Sequence, residues 1–169
     1  MRRLSLRVLS TIAATACMGC SGLHKVSVTG EPETRAAACA DSLRLAQTID
    51  TLTLARREVS GPPGASAEGS SIVEFARNGR RNAVSVTFYG ERGRLSYSYR
   101  LASDRSYVVL IEDEQYREPL TTGPPSVGQR SSFTYRVCGG RVQGPDSAAT
   151  RAHEAQTVLS MADSVLSHR

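Results

Sequence analysis

Tryptophan is absent from the chain, and lysine occurs once, at Lys25. Beyond that position there is no lysine for a Ser–Lys dyad of the S-x-x-K type. Histidine is scarce too: His24, His153 and His168 are the only three, and none stands at metal-ligand spacing from another. His153-Glu154 lacks the second histidine of an H-E-x-x-H zinc pattern, so His153 is expected on the solvated surface of a helix. A G-x-S-x-G nucleophile elbow and a phosphate-cradling glycine loop are both missing. No cofactor and no metal site are expected. Long apolar runs are missing as well. The main one, Val8 to Ala16 with its flanks, covers about 9 to 12 residues, where a permanent membrane helix needs roughly 20.

That short run is part of an export-signal layout. Arg2, Arg3 and Arg7 form a positive leading region, Val8 to Ala16 form the apolar segment, and small residues lead into Cys17 and Cys20. Ala14-Thr15-Ala16 is an A-x-A site for ordinary signal peptidase. The same stretch resembles a bacterial lipobox, in which small residues precede a cysteine that is cleaved on its N-terminal side and acylated. The resemblance implies lipidation at Cys20, with Cys17 as the alternative. Parity favours Cys20: acylation there discards Cys17 with the signal and leaves Cys39 and Cys138 as an even pair. Cleavage after Ala16 leaves four cysteines, also even, so a soluble secreted form stays open. Residues 1–19 are therefore expected to be a lipoprotein-type signal peptide. Residues 20–33, with Gly30 and Pro32 and little periodicity, are expected to be a flexible tether. Ser21 follows the proposed anchor. In the enterobacterial sorting rule an Asp there marks inner-membrane retention, so resemblance to that system implies an outer-membrane lipoprotein facing the periplasm.

The formal charge of +5 includes the three leading arginines; without them 18 basic residues stand against 16 acidic ones. This near balance argues against nucleic acid as a partner. Arg77, Arg80 and Arg81 cluster around Asn78-Gly79, a turn signal, where charges are expected to be solvated.

About 130 residues remain for one core. The expected class is α+β: an antiparallel meander of about five strands between an N-terminal and a C-terminal helix, all within residues 34–169. The first helix is expected over 34–50, because Cys39, Leu43, Ala46 and Ile49 fall on one face, broadened by Leu45 and Leu52. The sheet is expected within 71–142. Its runs are Ile72 to Ala76, Ala83 to Tyr89, Arg94 to Leu101, Tyr107 to Ile111 and Ser131 to Cys138, joined by turn signals at Asn78-Gly79, Gly90 to Gly93 and Ser103-Asp104. Gly139-Gly140 reads as a turn ending the last strand. The final helix is expected over 146–167, capped by Asp146 or Ser147, with Ala148, Ala152, Ala155, Leu159, Ala162 and Leu166 in a narrow stripe suited to close contact with a helix or a flat sheet.

Cys39 lies on the first helix and Cys138 at the end of the last strand, on the face opposite Phe133, Tyr135 and Val137. A Cys39–Cys138 disulfide suits an exported chain and would place the first helix beyond that strand or across its other face. The bland alternative is a pair of buried free thiols.

Ser66-Ala67-Glu68-Gly69, Gly90-Glu91-Arg92-Gly93-Arg94, Tyr116-Arg117-Glu118-Pro119 and Phe133-Thr134-Tyr135 before Gly140-Arg141 occur in that order. This series resembles a loose group of small exported bacterial proteins and lipoproteins with no assigned activity, over roughly residues 36 to 142. The resemblance implies an antiparallel sheet and no known reaction. Glu112-Asp113-Glu114 could offer oxygen ligands to calcium but is expected to be a solvated charged turn. The leading functional expectation is a non-catalytic envelope lipoprotein, membrane-bound through its lipid, with an envelope protein or a glycan as partner. A second reading is an inhibitor of a cell-wall hydrolase such as lysozyme, using Thr121 to Gln129 as its loop. A third is a glycan-active enzyme with two facing carboxylates, Glu74 and Glu91 for example.

Overall fold

Clean alternation between apolar and small polar residues makes each central segment a strand with one face for a core. The computed structural model describes residues 31–103, 105–119, 126–143 and 149–168. The proposed signal and tether up to residue 30, Cys17, Cys20, His24, the 121–125 part of the proposed inhibitory loop, and the cap residues Asp146 and Ser147 lie outside them. The described elements are α1 (Glu31–Gln47), β1 (Ala55–Ser60), β2 (Ser70–Arg77), β3 (Arg80–Gly90), β4 (Gly93–Ser103), β5 (Ser106–Tyr116), β6 (Val127–Cys138), β7 (Arg141–Gln143) and α2 (Ala149–Ser167). All seven strands form one antiparallel sheet in the order in which they occur along the chain. The α+β class and the two flanking helices are as expected.

The strand count is seven where about five were expected. The five expected runs are β2 to β6. β1 escaped notice because Arg56, Arg57 and Glu58 are consecutive charges and Val59 is its only branched apolar residue. It is an edge strand, which needs no apolar face to pair with β2. β7 follows Gly139-Gly140, which turns the chain back instead of ending the sheet; Cys138 pairs with Arg141 across it. Val127 to Gln129, read as loop, belong to β6.

α1 also runs three residues earlier than expected at each end. Pro32 falls in its first turn, where a missing N–H costs nothing. At the other end the Thr48 hydroxyl donates to the Leu45 carbonyl at 2.8 Å, and Asp50 then caps a 3-10 turn over Thr51–Thr53 through the Leu52 N–H. Ile49 is thus outside the helix. Leu45 and Leu52, expected to broaden the packed face, point to solvent instead, at 70% and 94% exposure.

The core lies on one face of the sheet, hereafter the inner face. Ile72, Val84, Val86, Tyr99, Val109 and Ile111 are buried there under Ala155, Leu159, Ala162 and Leu166 of α2. Phe88, Tyr97, Tyr99 and Tyr107 form an aromatic row with centroid spacings of 6.0, 6.4 and 5.6 Å. α2 crosses the sheet obliquely. Arg151 sits over the Phe133 ring of β6 at 4.7 Å, the Tyr99 hydroxyl donates to the Ala155 carbonyl at 2.6 Å, and Arg57 of β1 donates to the Leu166 carbonyl at 3.2 Å. Arg81, expected to be solvated, is half-buried and bonds Asp163 of α2 at 2.5 Å. Burial drives the Tyr99 phenol well above its ordinary pKa.

α1 lies on the opposite, outer face against β4, β5 and β6. Among the described side chains of α1, Leu43 and Ala46 are buried, and Ala83 and Val108 are buried on the same face of the sheet. Cys39 and Cys138 are joined in a disulfide with Cα atoms 6.1 Å apart. Of the two placements the bond allowed, beyond β6 or across its other face, the first helix takes the second.

Candidate binding face

Alternate residues of five strands bring small hydroxyls together on the outer face. The register sets Ser71, Thr87, Ser96, Glu112 and Ser132 in one row, and Val73, Ser85, Ser98, Leu110 and Thr134 in the next. α1 covers the end of this face that holds Ala83, Arg100 and Val108, and leaves these two rows half-exposed to exposed. Neighbouring strands are about 4.8 Å apart and successive rows about 6.8 Å, so the hydroxyls form a flat lattice. Bonds among them are weak: Thr87 and Ser96 hydroxyls are 3.4 Å apart, as are those of Ser71 and Tyr89. Most of the lattice is thus left to bond with an incoming polar group.

Beyond the lattice, the far rim is held by charge. Glu114 of β5 is 3% exposed and lies between Arg94 of β4 and Arg130 of β6. Arg94 bonds it at 2.5 Å, and Arg130 forms the second ion pair. The Arg94 hydrogen bond holds the Glu114 carboxyl below its ordinary pKa, against the opposing effect of burial, and Arg94 is raised in return. The acidic run is therefore no solvated turn. It is strand, and its alternate carboxylates divide between the faces, Glu112 and Glu114 outward and Asp113 inward. Gly93 permits the close approach of β4 and β5 here, since a Cβ on it would stand 2.3 Å from the Glu114 carbonyl oxygen. A cleft of about 270 Å3 opens at this end of the sheet, between Phe88, Tyr89, Leu95 and Gln115.

The residues singled out from sequence fare differently. Cys39 and Cys138 meet. Glu74 and Glu91 do not: Glu74 lies mid-strand on the inner face, bonded to Arg57, while Glu91 sits in the β3–β4 turn, about 20 Å further along at roughly 3.3 Å per residue. A retaining or inverting pair needs a far shorter separation. His153 is exposed on α2 and His168 is exposed just past its end. Among the described residues no group of three or more His, Cys, Asp or Glu side chains is placed to hold a metal ion, and no helix is long and apolar enough to cross a membrane. The hydroxyl lattice itself was missed. Its signal was present in the polar halves of the alternation, Ser85-x-Thr87 and Ser96-x-Ser98, which read only as the solvent side of strands. No protein-family model, no curated protein and no solved structure matches the chain.

Proposed function

We propose that the chain is an exported, lipid-anchored cell-envelope protein that acts as a non-catalytic binding module, presenting the outer face of its sheet to an envelope protein or glycan. The observation that carries the anchor is the leading segment: three arginines, a short apolar run and small residues before Cys20. The flat hydroxyl lattice supports the binding role. It offers many donors and acceptors and few apolar side chains, which suits a polar, extended partner better than a buried small molecule. The disulfide is in keeping with an oxidising compartment. The destination that fits Ser21 is the periplasmic side of the outer membrane.

Two measurements test this. Intact mass of the chain from the membrane fraction should show a start at Cys20, added acyl mass, and a gain of about two daltons on reduction of one disulfide. A start at Cys17 without lipid removes the anchor. For the binding face, a photo-crosslinking amino acid at position 96 should give adducts in intact cells, while one at position 156, on the exposed side of α2, should not. Equal adducts from both positions would sink the outer-face assignment.

A further inference from the structure

The two edges of the sheet are guarded unequally. β1 has six residues and places Arg56, Arg57 and Glu58 in succession, with Arg56 and Glu58 ion-paired along the strand. Short, charged edges of this kind resist pairing with another chain. β6 has twelve residues, of which only Arg136, Val137 and Cys138 are covered by β7. Cys138 and Arg141 flank a two-residue turn with φ of 57° and 82° at Gly139 and Gly140, so they form a hydrogen-bonded pair. The outward-facing backbone groups of β6 therefore belong to Cys138, Arg136, Thr134, Ser132 and Arg130. β7 stops at Arg136, and among the described residues the N–H and C=O of Thr134, Ser132 and Arg130 meet no other strand. Arg130, the one charge in this stretch, is drawn onto the outer face by Glu114.

We infer that the open edge of β6 pairs with β6 of a second copy of this chain, antiparallel about a two-fold axis at Ser131, joining two seven-stranded sheets into one. The register follows from what the alternatives meet. Outward residues must face outward residues, so only shifts by whole hydrogen-bonded pairs are allowed. Centring on Arg130 sets two guanidiniums face to face, which is unfavourable. Centring on Ser132 sets Gly128 against Arg136, where β7 of the other copy already lies. Centring on Ser131 clears β7 and opposes no like charges. Arg130 then faces Ser132 and Phe133 faces Gln129, and the regular pairing ends at the bulge on Gly128. The contact is isologous, so it closes at two copies, and the charged β1 edges end the joined sheet.

The test is sedimentation equilibrium of the full chain, disulfide intact, in density-matched detergent over a range of concentrations. The chain should weigh twice its monomer mass at high concentration. Ser132→Glu, which meets Arg130 of the other copy twice in each dimer, should tighten the dimer about tenfold, and Ser132→Arg should weaken it by a similar factor. Ser132→Pro removes an outward N–H that meets no strand among the described residues, so it should give a monomer with unchanged circular dichroism. If Pro disturbs the fold, the two charge variants still decide. A wild-type chain that stays monomeric, or charge variants that shift the equilibrium in the same direction, would overturn the inference.

Discussion

The two helices are attached to the same sheet by different means. α2 lies on the inner face through Ala152, Ala155, Leu159, Ala162 and Leu166, all at 6% exposure or less. The Ala stripe lets its backbone come close enough for Tyr99 to bond the Ala155 carbonyl. Among its described side chains, α1 fully buries Leu43 and Ala46 and leaves Leu45 in solvent. What α1 lacks in buried area is offset by a covalent bond, Cys39–Cys138. Helical periodicity is therefore a poor guide to how firmly a helix is held: both segments have it, and only one packs along its length.

The largest effect should come from cutting the bond. Replacing both Cys39 and Cys138 by Ser opens a loop of 99 residues. In the chain-entropy account such a bridge contributes about 4 to 5 kcal/mol. In hydrogen exchange the α1 amides should lose protection while those of α2 keep theirs. Equal protection of the two helices in that variant would break the contrast. A smaller effect sharpens it from the other side. Ala155→Leu forces three carbons between α2 and the aromatic row and should cost about 1 to 3 kcal/mol in urea unfolding, whereas Ala40→Leu on the exposed side of α1 should stay within about 0.5 kcal/mol. The smallest effect concerns the rim that neither helix covers. Glu114→Gln should cost about 1 kcal/mol near neutral pH, modest because Arg94 and Arg130 are half-exposed. The folded carboxyl is held below its ordinary value of 4.5, so its contribution is fully present above that pH. The gap in melting temperature between wild type and Glu114→Gln should therefore hold steady at higher pH and shrink as pH falls below 4.5 through the depressed folded value.

The sheet was legible where alternation is strict. Val84, Val86 and Phe88 against Ser85 and Thr87 identify β3, and Leu95, Tyr97, Tyr99 and Leu101 identify β4, because one buried face leaves a period of two. The stripe of α2 and the turn at Asn78-Gly79, where φ is 52° and 74°, were equally plain. β1 was not legible: an edge strand packed on one side only can be charged, and Arg57 finds Glu74 and the Leu166 carbonyl through the fold, not through its neighbours in sequence. Glu114 hid for the same reason. Its two arginines are 20 and 16 positions away, and only the strand register brings them together. The outer face was half visible. Its serines and threonines alternate with the apolar residues, yet small polar residues on a strand look alike whether they face bulk water or a partner.

Sheet order equal to chain order has a kinetic consequence. Every strand meets its partner through the connection that directly precedes or follows it, so the sheet can zip up by successive closures, most of them over short hairpins. Each such hairpin forms on a scale of about 1 to 10 μs, and short loops cost little entropy to close. The one distant covalent link, between Cys39 and Cys138, forms over seconds to hours depending on the oxidant. The sheet should be assembled long before that bond locks, and the early folded chain should carry α1 as a loosely docked arm. The oxidant then joins Cys39 of that arm to Cys138, already fixed at the end of β6, and the bond turns a loose docking into a permanent one.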